Sequence, residues 1–385
     1  MKPVVIVGTG LAGYNTAREF RKHDSETPLV IVTADDGTSY SKPMLSNAMA
    51  RGKTPEALAM ASADEMAEQL AADIRTHRTV ESLDSTKRTL ALDDGTMLEA
   101  EKIVLAIGAD QANPDLAGDA ADEVFAVNHL ETYARVRAAL EGARRVVLIG
   151  GGLIGCEFAS DWLKAGHEVT VIEPCAYPMG TMLPPLAGEH LAAALRSAGA
   201  ELVTGHAATR VERDGKQYVV HDDGGGAHTG EIVVRAIGLR PKLALARAAG
   251  LETRRAIVTD RALETSAPGI FALGDCAEVD GIWLPFIMPI NHCARALGPT
   301  LAGQRTEVDY PVMPVIAKTP SCPIQLYAPP RDVEGAWSEE QVEGGTRSLY
   351  HDTAGELRGF CLTGAAVQEK PDWAKQVPGC FANRA

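Results

Sequence analysis

Two stretches of the chain carry the same succession of apolar and glycine positions. Val4-Val5-Ile6-Val7 runs into Gly8-Thr9-Gly10-Leu11-Ala12-Gly13, and Val146-Val147-Leu148-Ile149 runs into Gly150-Gly151-Gly152-Leu153-Ile154-Gly155. A short, unbroken apolar run that ends at glycine predicts a strand buried on both faces. The periodic residues that follow predict a helix over 11–22 in the first copy and over 153–165 in the second. A second apolar strand is predicted over 29–33 and again over 168–172. Each leads to an acid, Asp35 and Asp36 in one copy and Glu173 in the other. Further strands ending at glycine are predicted over 102–109, 233–241 and 269–277, and hairpin turns at Asp93-Asp94-Gly95 and Asp222-Asp223-Gly224. From about Tyr310 the pattern changes. Prolines at 311, 314, 320, 323, 329 and 330 punctuate short strands, and only 342–350 and 357–362 read as longer periodic elements.

This alternation predicts an α/β fold with two Rossmann-like nucleotide-binding domains, one nested in the other, plus a small C-terminal α+β domain. The expected boundaries are 1–113 with 239–309 for the first domain, 114–238 for the inserted one and 310–385 for the tail. Each glycine loop has a chemical reason. The pyrophosphate of a dinucleotide needs a tight turn and a helix N-terminus brought close to it. Only glycine supplies both the positive φ and the missing Cβ. Two loops, Gly8, Gly10 and Gly13 in one copy and Gly150, Gly152 and Gly155 in the other, therefore imply two dinucleotides. The acid that ends the second strand hydrogen-bonds ribose hydroxyls. No Arg or Lys follows Glu173 closely, so the second loop is expected to take NADH and to repel the 2′-phosphate of NADPH. In the first copy the ribose contact comes either from Asp35 or from backbone.

The formal net charge of −14 over 385 residues argues against nucleic acid or an anionic membrane surface as the main partner. No apolar run approaches the roughly 18 residues of a membrane-spanning helix, and the N-terminus shows no secretory pattern, so a cytoplasmic protein is expected. The seven cysteines are scattered, without zinc-type or C-x-x-C spacing, and are expected to be reduced thiols. His129, His190 and His292 are isolated, so no metal site is expected. Asp161, Trp162 and Lys164 are expected to be surface and packing positions.

Over roughly residues 1–305 the chain resembles the FAD-dependent pyridine nucleotide-disulfide oxidoreductase superfamily. The resemblance rests on the first glycine loop, Ile107-Gly108-Ala109, the second loop through Glu157, and Gly274-Asp275. Within it, Ser39-Tyr40-Ser41-Lys42-Pro43-Met44-Leu45-Ser46 resembles the corresponding segment of rubredoxin reductases and their relatives, including the reductases of flavorubredoxin and of Rieske oxygenase ferredoxins. Val315-Ile316-Ala317-Lys318-Thr319-Pro320 and the short tail resemble rubredoxin reductases in particular. The resemblance implies FAD on the first domain and NADH on the second. FAD contacts are then implied at Gly8, Gly10, Leu11, Ala12, Gly13, Asp35, Lys42, Pro43, Val80, Ala106, Gly108, Gly274, Asp275 and Lys318. NADH contacts are implied at Gly150, Gly152, Gly155, Glu173 and Gly238. Lys42 would lie near flavin N5 and pair with Glu157, Asp275 would hold the ribityl chain, and Lys318 would approach the pyrimidine side. For Asp275 an ordinary N-cap role competes, and for Glu157 that of a first-turn helix carboxylate.

The departure from the superfamily is informative. Where the disulfide branch carries a cysteine pair, this chain has Ser39-Tyr40-Ser41-Lys42. Electrons are therefore expected to leave the flavin directly, one at a time, for rubredoxin or a similar small acidic iron carrier. The alternatives are an NADH-dependent reductase of a [2Fe–2S] ferredoxin or of flavorubredoxin, an NADH oxidase, and a flavoprotein whose main role is binding.

Overall fold

A computed structural model describes residues 1–382 of the chain. They form two compact units, the first made of Met1–Ser41, Ala59–Asp110 and Leu239–Tyr310. Its centre is a five-stranded sheet with all neighbours parallel, ordered Ile270–Ala272, Lys102–Leu105, Val4–Val7, Leu29–Val32, Ala72–Arg75. The register sets Val4 beside both Leu29 and Lys102. Val4–Val7 is buried at every position, as a central strand covered on both faces must be. Helix α1 (Leu11–Arg21) turns Tyr14, Ala17 and Phe20 inward and packs along the helix Ile287–Leu301, with Asn15 donating to Asn291 at 2.8 Å. The short helix α2 (Ala63–Leu70) starts at a capping box between Ser62 and Glu65. The core joins Val5, Val7, Val32, Ile103, Leu105, Ile257 and Ile270.

The second unit comprises Lys42–Leu58, Gln111–Gly238 and the chain from Pro311 onward. It repeats the parallel sheet, ordered Phe125–Ala126, Ile232–Arg235, Arg145–Ile149, Glu168–Glu173, Glu201–Thr204. Helices α3 (Leu130–Leu140), α4 (Leu153–Lys164) and α5 (Pro185–Ser197) belong to it.

The C-terminal segment is a five-stranded antiparallel sheet followed by the 3-10 helix Ala365–Glu369 and the short helix Lys370–Ala374. Its strand order is Val315–Ala317, Ile324–Tyr327, Leu357–Gly364, Gly345–Asp352, Gly335–Val342. Rather than closing a core of its own alone, it shares one with the inserted segment: Ala317, Ile324, Leu326 and Cys361 pack with Cys156, Leu191 and Leu195. The tail expected as a third body and the inserted domain thus lie in one unit, together with Lys42–Leu58. The expected element over 342–350 is found as the strand Gly345–Asp352, entered through a hairpin turn. Val342 pairs with Gly345 across a turn in which Gly344 has φ +72°. The partner strand Gly335–Val342 carries Ser338-Glu339-Glu340-Gln341 and buries none of its residues, so it has no apolar pattern to betray it.

Candidate functional site

Both glycine loops have the shape that a pyrophosphate requires. In the first unit Gly8 has φ +111°, and a Cβ there would stand 2.4 Å from the Ala106 carbonyl oxygen. A Cβ on Gly13 would stand 1.9 Å from the Gly8 oxygen. In the second unit the corresponding distances are 2.7 Å from Gly150 to the Ala236 oxygen and 2.0 Å from Gly155 to the Gly150 oxygen. No real Cβ fits at such separations. The middle glycines, Gly10 and Gly152, have nothing within 4 Å of the same position, so that side of each loop is open. They are the N-caps of α1 and α4. Neither helix has a side-chain cap or an acid in its first turn. Each therefore offers uncapped N–H groups and the positive end of its dipole to an anion.

Around the first loop, Leu11 and Ala12 open α1, and the Ala106 amide donates to the Val7 carbonyl at 2.9 Å. Gly108 has φ +67°, and its carbonyl accepts from the Lys242 amide at 3.1 Å. Gly274 has φ +81°, and a Cβ there would meet the Ala12 Cβ at 2.9 Å, which brings the Gly-Asp turn against the start of α1. Asp275 lies in the 3-10 turn Gly274–Cys276, and its carbonyl accepts from the Trp283 indole at 2.9 Å. Asp35 uses Oδ1 to accept from Thr33 at 2.6 Å, the Gly37 amide at 3.0 Å and Thr9 at 3.1 Å, so it shapes the turn after the second strand. Val80 begins the strand Val80–Asp84 and packs on the core of this unit.

In the second unit Glu173 is buried. Its Oε2 accepts from the Gly151 amide at 2.6 Å and its Oε1 from the Cys175 amide at 2.9 Å. An ionised carboxylate only accepts, so the lone pairs left over suit a diol and oppose a phosphate. Gly238 has φ +98° and accepts from the Ala112 amide at 3.0 Å.

The polar centre of this unit is Glu157, the fifth residue of α4 and almost fully buried at 2% exposure. It lies beyond the first turn, which removes the reading as a dipole-favoured terminal carboxylate. Its Oε2 accepts from the Ser46 hydroxyl at 2.5 Å and the Lys318 ammonium at 3.0 Å, and its Oε1 from the Lys318 amide at 2.9 Å. Lys318 also donates to Ser46 at 3.1 Å and to the Pro43 carbonyl. The expected pairing is thereby revised. Glu157 takes its ammonium partner from Lys318, whereas Lys42 donates to Asn128 Oδ1 at 3.0 Å. The cause is geometric: the 3-10 helix Lys42–Asn47 turns Pro43 and Ser46 toward α4 and the strand end that carries Lys318.

Three residues in this cluster escaped sequence reasoning. Ser46 and Asn128 stand 111 and 86 positions from their partners, and no local pattern reports such pairs. Asp161, read as a surface or packing position, is 4% exposed and accepts from the Met49 and Ala50 amides. Its spacing of four from Glu157, with Trp162 beside it, was the available signal. One further group, His206, Asp222 and Asp223, brings ligand atoms within 4.8 Å of one another. Asp222, however, accepts from the Gly224 and Gly226 amides and lies 2.8 Å from His228, so it closes a hairpin turn.

This architecture of paired dinucleotide cradles has known counterparts. Residues 2–298 match the profile of the pyridine nucleotide-disulphide oxidoreductases, and the chain belongs to that family. Residues 307–377 match the rubredoxin binding C-terminal domain. The chain is 48% identical to a rubredoxin-NAD(+) reductase of Alcanivorax borkumensis, over 98% of this chain and 99% of the relative. It is 41% identical to a rubredoxin-NAD(+) reductase of Acinetobacter baylyi, over 98% of each. The crystal structure of a ferredoxin reductase from Rhodopseudomonas palustris superposes with a TM-score of 0.86 at 25% identity, covering 96% of this chain and 93% of that one. FAD and NADH are the cofactors, and the two cradles fit them. Among the described residues no helix is long and apolar enough to cross a membrane.

Proposed function

We propose that this chain is an FAD-dependent NADH:rubredoxin reductase. The observation that carries the reading is the presence in one chain of two open glycine cradles and a rubredoxin-binding C-terminal segment. Bound FAD supplies the chemistry of taking a hydride from NADH and releasing electrons singly. Gly8, Gly10 and Gly13 hold the FAD pyrophosphate at the start of α1, with Asp35, Val80, Ala106, Gly108, Gly274 and Asp275 completing that side. Gly150, Gly152, Gly155 and Gly238 hold NADH, and Glu173 excludes the 2′-phosphate of NADPH. Lys42 supplies positive charge at the reacting end of the flavin, and Pro43 sets the turn that carries it. Lys318 and Glu157 hold that segment through Pro43 and Ser46. The absence of a cysteine pair at Ser39-Tyr40-Ser41-Lys42 supports direct electron exit from the flavin, and an NADH-fed enzyme with seven free thiols suits the cytoplasm.

The test is anaerobic stopped-flow reduction of the yellow protein by NADH, followed by mixing with oxidised rubredoxin or with a [2Fe–2S] ferredoxin. Fast reoxidation by rubredoxin is expected. Reoxidation only by ferredoxin, or only by admitted oxygen, would move the activity to a ferredoxin reductase or an NADH oxidase.

A further inference from the structure

Helix α4 carries two buried carboxylates one turn apart, and both face the segment 42–58. Glu157 holds Ser46, as described. Four residues on, Asp161 Oδ2 accepts from the Met49 amide at 3.0 Å and Oδ1 from the Ala50 amide at 2.9 Å. These two amides lie just past the 3-10 helix whose first residue is Lys42, and Lys42 is itself hydrogen-bonded to Asn128. The stretch 42–50 is therefore held at Lys42, at Ser46 and at Met49-Ala50. Like the Lys318 contact to the Pro43 carbonyl, the two Asp161 bonds are made to backbone, and they take two consecutive amides, so they constrain the path of the chain and not merely one side chain.

The geometry points to Asp161 as a positioning residue for hydride transfer, which fixes the Lys42-bearing segment by accepting two consecutive backbone amides. This rests on the proposed role of Lys42. Only an ionised carboxylate can do the work. A carboxylate accepts at both oxygens, and hydrogen bonds to a charged acceptor are about twice as strong as neutral ones. An asparagine would accept one amide and turn its own N–H₂ toward the other, donor against donor. The surroundings make that mismatch costly, because Asp161 is only 4% exposed and bulk solvent does not reach it freely.

Protonation should act as the asparagine does. Burial pushes the Asp161 carboxyl above its ordinary range, against the opposing pull of the Ala50 and Met49 amides and of the Arg137 and Arg51 charges, and its own charge bears on the Tyr133 hydroxyl. As pH falls through that raised value, one oxygen becomes a donor and an amide loses its acceptor. The reduction rate should therefore fall on the acid side. The contribution to stability has the opposite sign: the neutral carboxyl favours folding at low pH, and that gain is lost as pH rises from the unfolded value through the raised one.

The experiment uses the full-length, FAD-loaded chain with Asp161→Asn, which keeps the side-chain volume, and Asp161→Ala as the harsher variant. Three quantities are read: the limiting rate of flavin reduction at saturating NADH across pH, the NADH concentration at half-maximal rate, and hydrogen exchange at the Met49 and Ala50 amides of the FAD-loaded chain without NADH. For Asp161→Asn the expected results are retained FAD, an unchanged half-maximal concentration, faster exchange at both amides, loss of the acid limb and a limiting rate lower by about 10- to 100-fold, the scale of a small misplacement. Faster exchange with an unchanged rate and pH profile would make Asp161 a structural clamp only and overturn the inference, as would unchanged exchange. If the unsubstituted protein is not reduced by NADH at all, the proposed function falls too, an outcome distinct from failure of Asp161 alone.

Discussion

Replacing Glu157 by glutamine tests the centre of the second unit. The carboxylate is 2% exposed and its partner Lys318 31% exposed, with Nζ 3.0 Å from Oε2. Glutamine keeps one acceptor but faces either the ammonium or the Lys318 amide with an N–H₂ group. Breaking a wholly buried ion pair costs roughly 3–5 kcal/mol. The partial exposure of Lys318 lets water screen its charge, so about 2–3 kcal/mol is the better expectation here. Lys318→Met removes the cation and retains most of the stem. If the pair is a true unit, Glu157→Gln combined with Lys318→Met should cost less than the two single costs together by at least about 1 kcal/mol. The assay is urea unfolding followed by circular dichroism, with midpoints compared at equal slope. Single costs that add to within about 0.5 kcal/mol would refute the coupling and leave Glu157 bound to Ser46 and backbone alone.

The other expectations are simpler to check. Gly13→Ala places a methyl 1.9 Å from the Gly8 carbonyl oxygen, a backbone atom that cannot swing away, so the purified protein should carry less than a tenth of its flavin; full FAD content by absorbance would contradict it. Glu173→Gln removes the charge opposing a 2′-phosphate, and kcat/KM for NADPH relative to NADH should rise by about tenfold, read in an acceptor-linked assay. Lys42→Met should retain FAD but slow its reduction by NADH in stopped-flow, and equal rates would remove Lys42 from the mechanism. Five of the seven cysteines are buried, and burial pushes the Cys276 and Cys322 thiols up to about 11 and that of Cys293 up to about 12. An aromatic disulfide reagent at pH 8 should label at most Cys175 and Cys380 before denaturation and all seven after it.

What could be read from the chain alone was whatever repeats at short range. The two strand–glycine–helix copies were legible because each needs apolar strand residues, three glycines and an acid within about 30 positions, and α1 ends at Arg21, within one residue of the expected end. Local patterns fail where the structure depends on distant partners. Lys42 and Glu157 were both recognised, but Lys318 takes the place beside Glu157 because an antiparallel strand from the end of the chain delivers it there. The strand Gly335–Val342 stayed hidden because a polar, half-exposed edge strand obeys no hydrophobic alternation. Asp161 was misjudged because a charged residue on a helix usually faces water, and only the fold reveals the two amides waiting for it.

The uncapped starts of α1 and α4 carry a consequence for supply. Each helix leaves its first amides without a carboxylate of the chain's own, so part of the favourable end charge is realised only when a dinucleotide arrives. Occupancy and folding are then linked, and a cofactor held at 1,000 times its dissociation constant adds about 4 kcal/mol to the stability of the folded chain. FAD held between turnovers would act as a standing clamp, whereas NADH would add its share only in proportion to the reducing state of the cell. The amount of this protein surviving proteolysis should accordingly follow flavin availability before it follows the rate at which the gene is read.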